Sequence, residues 1–254
     1  DAYFRHAKVV TTYQMDVDET EGFKEEFASA PEAERLKFIE KWEERIKLER
    51  EIASYADIVF AIGPSLERSI KSHLARKSVG KPIIRLLLCG IRESAEPRNG
   101  YPLNPCFLYI GRVNHPKVKG VDLFVKAAGE LVKRWNSYWK GLCPEPKFVI
   151  RGFPSDSGAA IFEALRAQAE STAGRKVEIV PRPFSTDESS LVADVLSASA
   201  VVMPSRAEGF GLVALEAVSY GVPIVVAEKS GVAEMLKKYF SQPYDNPRYI
   251  VDTR

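Results

Sequence analysis

The run over residues 203–227, MPSRAEGFGLVALEAVSYGVPIVVA, constrains this chain more than any other stretch. It leaves a short apolar strand over 200–203 and breaks at Pro204-Ser205. A polar loop follows, then Gly209-Phe210-Gly211, then a compact helix that stops at Gly221 with Pro223 just beyond. Both are stop signals, because glycine takes a left-handed cap without a Cβ clash and proline has no N–H to continue the helix. The next strand begins at Pro223. Strand, loop, helix and strand make a parallel crossover. Its loop falls at the carboxyl end of a strand, where open α/β sheets bind ligands.

The same alternation runs through the second half of the chain. Strands are predicted near 107–110, 147–151, 177–180, 200–203 and 223–226. Helices are predicted near 121–135, 159–170, 187–197 and 212–220, with another from Val232. Short apolar strands alternating with helices imply βαβ units and a doubly wound parallel sheet. No G-x-G-x-x-G occurs, which argues against the dinucleotide-binding version of that sheet. Upstream, strands are predicted over 8–13, 58–62 and 83–88, and helices over 31–56 and 64–75. The long helix carries Leu36, Ile39, Trp42, Ile46 and Ile52 roughly on one face, and charge on the other. Between the halves, Pro97, Gly100, Pro102 and Pro105 mark a linker. The expected organisation is therefore a partial α/β domain over 1–91, a linker over 92–105 and a Rossmann-like domain over 106–254.

Composition narrows the function. Thirty-six basic and 34 acidic residues leave a formal charge of +2, so no broad electrostatic footprint for nucleic acid is present. Cys89, Cys106 and Cys143 are widely spaced without a C-x-x-C, so zinc and redox motifs lack support and a reducing, cytoplasmic compartment is expected. No apolar run approaches transmembrane length. Ser205, Ser219 and Ser230 have no matched His and Asp for a hydrolase triad. The chain begins without Met and ends abruptly, and is read as a fragment of something larger.

Two carboxylates and two cations fall at predicted strand ends. Glu208 sits in the loop and Glu216 mid-helix among apolar neighbours. Each reads either as an ordinary surface or half-buried carboxylate or as an acceptor for sugar hydroxyls. The glycines beside them permit close backbone approach, and the helix start offers unpaired N–H groups and a positive dipole end to an anion. Gly111-Arg112 ends the first strand of the second half, and Lys119-Gly120 opens the next helix. These cations are either solvated loop residues or a clamp for a diphosphate, Arg as a planar fork and Lys as a point charge. Asp16-Val17-Asp18 is a D-x-D in an acidic loop, where such a triplet arises easily by composition.

Taken together, Glu208-Gly209-Phe210-Gly211-Leu212-Val213-Ala214-Leu215-Glu216 with the following Gly221-Val222-Pro223 resembles the Glu, seven residues, Glu motif of the retaining GT-B glycosyltransferases, the large group 1 or GT4-like family. Gly111-Arg112 with Lys119-Gly120-Val121-Asp122-Leu123 is similar to a second signature of that family. The segment from Ala56 to Ser65 looks like its late N-terminal-domain strand and helix. The resemblance implies a hexosyltransferase that takes a nucleoside-diphosphate sugar, UDP- or GDP-linked, and transfers the sugar with retention and without a metal. It implies that Arg112 and Lys119 hold the donor phosphates, Glu208 the sugar hydroxyls and Glu216 the ribose. Gly111, Gly209, Phe210, Gly211 and Leu212 would line the donor. Pro181-Arg182-Pro183-Phe184 lies where the family reads the base, so Arg182 or Phe184 is a stacking candidate. The acceptor is not identified, and the rest of an N-terminal acceptor domain is an expected partner. Gln14 stands where many members have a His, and Gln cannot titrate. That residue favours the alternative, a nucleotide-sugar-binding or regulatory module without transfer activity.

Overall fold

Parallel strands need a crossover of about a helix's length between them, which the alternating pattern supplies, and the strands pair in parallel in the computed structural model. It describes residues 9–13, 31–75, 82–90, 98–139, 141–239 and 250–253. His6, Gln14, Asp16, Asp18 and the first part of the expected linker lie outside the described residues.

The larger sheet contains β4 (Cys106–Ile110), β5 (Lys147–Phe153), β6 (Ile179–Pro183), β7 (Ala200–Met203), β8 (Ile224–Ala227) and β9 (Ile250–Val251). Their order is β6-β5-β4-β7-β8-β9, and every pairing is parallel. On one face α4 (Val121–Trp139) and α5 (Gly158–Ala173) bury Tyr109, Phe124, Val125, Phe148 and Ile150. The other face carries α6 (Glu188–Ser197), α7 (Leu212–Ser219) and α8 (Gly231–Tyr239), packed over Leu108, Val149, Val201 and Val226. A short helix, α3 (Pro116–Lys119), precedes α4 and was not anticipated from the sequence. Nor was the two-residue strand β9. Pro181 and Pro183, expected in a loop, stand inside β6. This strand is an edge, pairing only with β5, so its missing N–H donors break no second ladder.

The smaller sheet is β1 (Val10–Tyr13), β2 (Ile58–Ile62) and β3 (Ile83–Leu87), in that order and parallel. Helix α2 (Pro64–Ala75) seals one face, burying Leu66, Ile70 and Leu74 against Val59 and Ala61. The long helix α1 (Glu32–Tyr55) forms as expected, and its predicted apolar stripe is only partly covered: Ile39, Trp42 and Ile46 are half-buried, whereas Leu36 is 62% and Ile52 50% exposed. Geometry accounts for this. Twenty-four residues of helix run about 36 Å, whereas a five-residue strand spans about 17 Å. Among the described residues, the last turn, through Ala53, joins the core of the smaller sheet.

Candidate functional site

Chain order reverses between β4 and β7: β5 lies on the far side of β4, and β8 on the far side of β7. A reversal of this kind leaves a crevice at the carboxyl strand ends. A cleft of about 580 Å³ opens there, and Gly111, Arg112, Lys119, Glu208, Phe210, Gly211 and Leu212 line it. Ile62, at the end of β2, lines it from the smaller sheet.

Close backbone crossings build its floor. Gly111 N–H donates to the Arg151 carbonyl at 3.0 Å. Gly152 has φ +129°, and a Cβ there would lie 1.9 Å from the Gly111 oxygen. Only glycine lets these two strand ends meet. Gly120 does the same between α3 and α4, with φ +71° and a hypothetical Cβ 2.0 Å from the Pro204 oxygen. That contact brings the loop after β7 against Lys119.

Lys119 Nζ donates to Glu208 Oε2 at 2.9 Å, with the two side chains 22% and 18% exposed. Ser205 Oγ is 3.3 Å from the same carboxylate oxygen and 3.5 Å from the Lys119 carbonyl. Tyr109 donates its hydroxyl to that carbonyl at 3.3 Å. Burial pushes the Tyr109 phenol far up, helped by the nearby Glu208 charge, so it stays a neutral donor. Arg112 is exposed in the cleft wall.

The glycine loop faces these residues. Gly211 caps α7 at φ 106°, and the cleft wall continues into Leu212 and Val213. N–H groups in a first helical turn have no acceptor within the helix and suit an anion. Phe210 is buried and fixes the loop from behind, its carbonyl accepting from Val232 N–H at 2.7 Å. Gly209 is buried too and is not part of the wall. Its oxygen would lie 3.0 Å from a Cβ on Gly63 and 2.6 Å from one on Gly231. The two halves of the chain thus touch directly behind the loop. Arg68 on α2 also forms an ion pair with Glu234 on α8, one of its two contacts at 3.3 Å.

Glu216 is exposed, not half-buried, and lines an adjoining hollow of about 410 Å³. The hollow and the cleft share Ile110, Leu191, Leu212 and Val213. Of the base-reading candidates, Phe184 lines the cleft and Arg182 does not. Arg182 is about half exposed, its Nε 4.0 Å from Asp194 Oδ1.

Two arginines escaped the sequence reading. Arg151 is only 4% exposed; it pairs with Asp194 and donates to the Pro183 carbonyl at 3.1 Å and Ser190 Oγ at 2.9 Å. It pins the turn that carries Phe184. Arg206 forks onto Asp122 at 2.8 and 2.9 Å. Their partners lie 43 and 84 positions away, and no local pattern announces such pairs. Among the described residues, no group of three or more His, Cys, Asp or Glu is placed to hold a metal ion. No described helix is long and apolar enough to cross a membrane. The arrangement, cations and a helix start beside a carboxylate, can hold an anion and a hydroxylated group at once.

Comparison with known proteins identifies the family and the fold. The family model for "Family 4 Glycosyltransferase in conflict systems" matches residues 1–254. A D-inositol 3-phosphate glycosyltransferase from Corynebacterium urealyticum is 31% identical over 202 residues, covering 75% of this chain and 45% of its own length. Its counterpart from Acidothermus cellulolyticus is 34% identical over 149 residues, covering 58% of this chain and 32% of its own. The chain thus spans less than half the length of these curated relatives. Among solved structures, a sucrose-phosphate synthase from Thermosynechococcus elongatus aligns at TM-score 0.63 with 22% identity, over 96% of this chain and 55% of that one. A UDP-forming trehalose-phosphate synthase from Burkholderia xenovorans aligns at TM-score 0.64 with 14% identity, over 99% and 58%. At such identities the structural likeness is one of fold, the GT-B glycosyltransferase type with its Rossmann-like parallel sheet. The chain belongs to the family 4 glycosyltransferases of conflict systems.

Proposed function

We propose that this family 4 chain binds a nucleoside-diphosphate sugar in the β4–β7 cleft and supplies the donor half of a sugar transfer that retains anomeric configuration. The observation that carries the reading is the Lys119–Glu208 pair, a cation and a carboxylate 2.9 Å apart beside a glycine-capped helix start. In this reading Arg112, Lys119 and the first N–H groups of α7 take the diphosphate. Charge builds on that group as the glycosidic bond breaks, and fixed donors of this type contribute about 3–4 kcal/mol each in other enzymes. Glu208 turns from Lys119 to the sugar hydroxyls, Glu216 takes the ribose, and Phe184 covers the base. Two structural neighbours, a TarM from S. aureus in complex with UDP and the UDP-forming trehalose-phosphate synthase, support a uridine or similar nucleotide; GDP is the other candidate. The anion site consists of cations and amides, so donor binding needs no metal.

Residues 106–254 act as the donor domain, 92–105 as the linker and 1–91 as part of the acceptor side. The smaller sheet leaves Val10, Ile83 and Leu87 exposed on one face. A further portion of acceptor-side domain completes that face and holds the acceptor against the anomeric carbon. Positioning of that kind can be worth about 7–11 kcal/mol, so this chain alone binds donor and turns it over poorly. The test is a calorimetric screen of UDP, GDP and their glucose, N-acetylglucosamine and mannose conjugates, with and without EDTA. Binding of one nucleotide series, unchanged by EDTA, is expected. Failure of all of them to bind, or an EDTA loss beyond about tenfold, overturns the reading.

A further inference from the structure

The Lys119–Glu208 pair joins the end of α3, which follows β4, to the loop after β7, and something must hold these two segments in register. The main chain contributes part of the hold: Arg206 and Ala207 N–H both donate to the Val118 carbonyl, at 3.0 and 3.3 Å. Beyond the main chain, side chains also span the gap: Ser205 Oγ lies 3.5 Å from the Lys119 carbonyl, and Arg206 makes the largest set of contacts. Arg206 stands two residues before Glu208, and its NH1 donates to the Lys117 carbonyl at 2.8 Å. The same guanidinium meets Asp122, three residues after Lys119, through two parallel bonds of 2.8 and 2.9 Å. Both side chains are 15% exposed. A bidentate arginine–carboxylate fork fixes orientation as well as distance, which a single point-charge contact does not.

We propose that Arg206 and Asp122 are positioning residues that set the spacing of Lys119 and Glu208, and so the diphosphate preference of the cleft. The inference rests on the donor-site reading given above. Neither residue lines the cleft, so neither touches the nucleotide. Their effect is transmitted through the two short segments they tie. Loss of the fork lets the Glu208 loop shift against α3, while Glu216 on α7 and Phe184 after β6, which take the nucleoside in that reading, are tied by neither Arg206 nor Asp122. The phosphate and nucleoside contributions to affinity therefore separate.

The experiment titrates UDP, GDP, uridine and guanosine into the whole chain as wild type, Arg206→Gln, Arg206→Lys, Asp122→Asn and Lys119→Ala, with thermal unfolding of each. Arg206→Gln and Asp122→Asn are expected to lose about tenfold in affinity for the nucleotide that binds, a loss of about 1.4 kcal/mol, with nucleoside affinity within about twofold. Arg206→Lys restores charge without the fork and falls between Arg206→Gln and wild type. A merely structural role lowers nucleotide and nucleoside affinity together, in step with the melting temperature, and overturns the proposal. So does an unchanged diphosphate preference in Arg206→Gln while Lys119→Ala loses it, an outcome that leaves the donor-site reading intact. If Lys119→Ala also keeps the preference, or the wild type binds neither UDP nor GDP, the donor-site reading falls and this proposal with it. If Arg206→Gln does not fold, Asp122→Asn, which preserves side-chain shape, carries the same comparison; if Asp122→Asn does not fold, Arg206→Lys carries it.

Discussion

The two sheets of this molecule follow one plan and reach different ends. In the larger sheet, β5 is buried at six of its seven positions, because helices cover both faces. In the smaller sheet, β2 alternates buried and half-buried, and β3 alternates half-buried and exposed. Parallel sheets ordinarily carry cover on both faces, since their crossover helices fall on either side. Among the described residues, the larger sheet meets that condition and the smaller one meets half of it. The lesson concerns function as much as stability. The finished sheet carries nearly the whole cleft, whereas the half-covered one contributes Ile62 to its wall and Gly63 behind its glycine loop.

Matched truncations sharpen the contrast most strongly. Leu108 is fully buried, and Leu108→Ala should cost about 2–5 kcal/mol in denaturant unfolding. Leu87 is 41% exposed on the open face, and Leu87→Ala should stay within about 1 kcal/mol. Comparable losses would mean that the open face is covered in solution, and the contrast would break. A smaller effect is expected at the adjoining hollow. Glu216→Ala should weaken nucleoside and nucleotide binding together, by about tenfold, as loss of a charged hydrogen-bond acceptor does. Calorimetry with uridine and UDP checks it, and an unchanged nucleoside affinity would remove Glu216 from the site. The smallest effect belongs to the bridge between the halves. Arg68 is 64% exposed in its pair with Glu234, and exposed pairs are worth about 0–1 kcal/mol. Arg68→Ala should shift the unfolding midpoint little and less still at high salt. A large shift would show the two halves locked more firmly than one surface pair accounts for.

The fold was legible wherever local chemistry decides it. Strand β7 and the start of α7 fall where Pro204, the glycines and the apolar run put them, because caps and breakers act within a few residues. Helix α1 was foreseen as a helix with an apolar stripe, but a stripe says nothing about how far a partner reaches along it, and Leu36 and Ile52 stay exposed. Strand β6 was displaced by its prolines, which exclude a central strand but not an edge. Within the site, Arg112, Lys119, Glu208, Gly211 and Leu212 were named from the sequence, and they line one cleft. Arg182 was named with them and does not line the cleft: it lies within β6 beside Asp194, whereas Phe184 follows the end of that strand. Asp122 was read as part of a motif without a role, and Arg206 was passed over. Their fork is a tertiary contact across 84 positions, and a single sequence carries no sign of it.

The central claim is that one cleft recognises a diphosphate through Lys119 and its neighbours, and paired titrations test it most directly. UDP and GDP, each with its nucleoside, are titrated into the wild type and Lys119→Ala under identical salt. Lys119 forms a charge-assisted bond whose loss is expected to cost about 1.5–3 kcal/mol. The account predicts that the wild type prefers the diphosphate over the nucleoside, and that Lys119→Ala loses most of that preference while binding the nucleoside as before. Equal diphosphate affinity in the two proteins would contradict it.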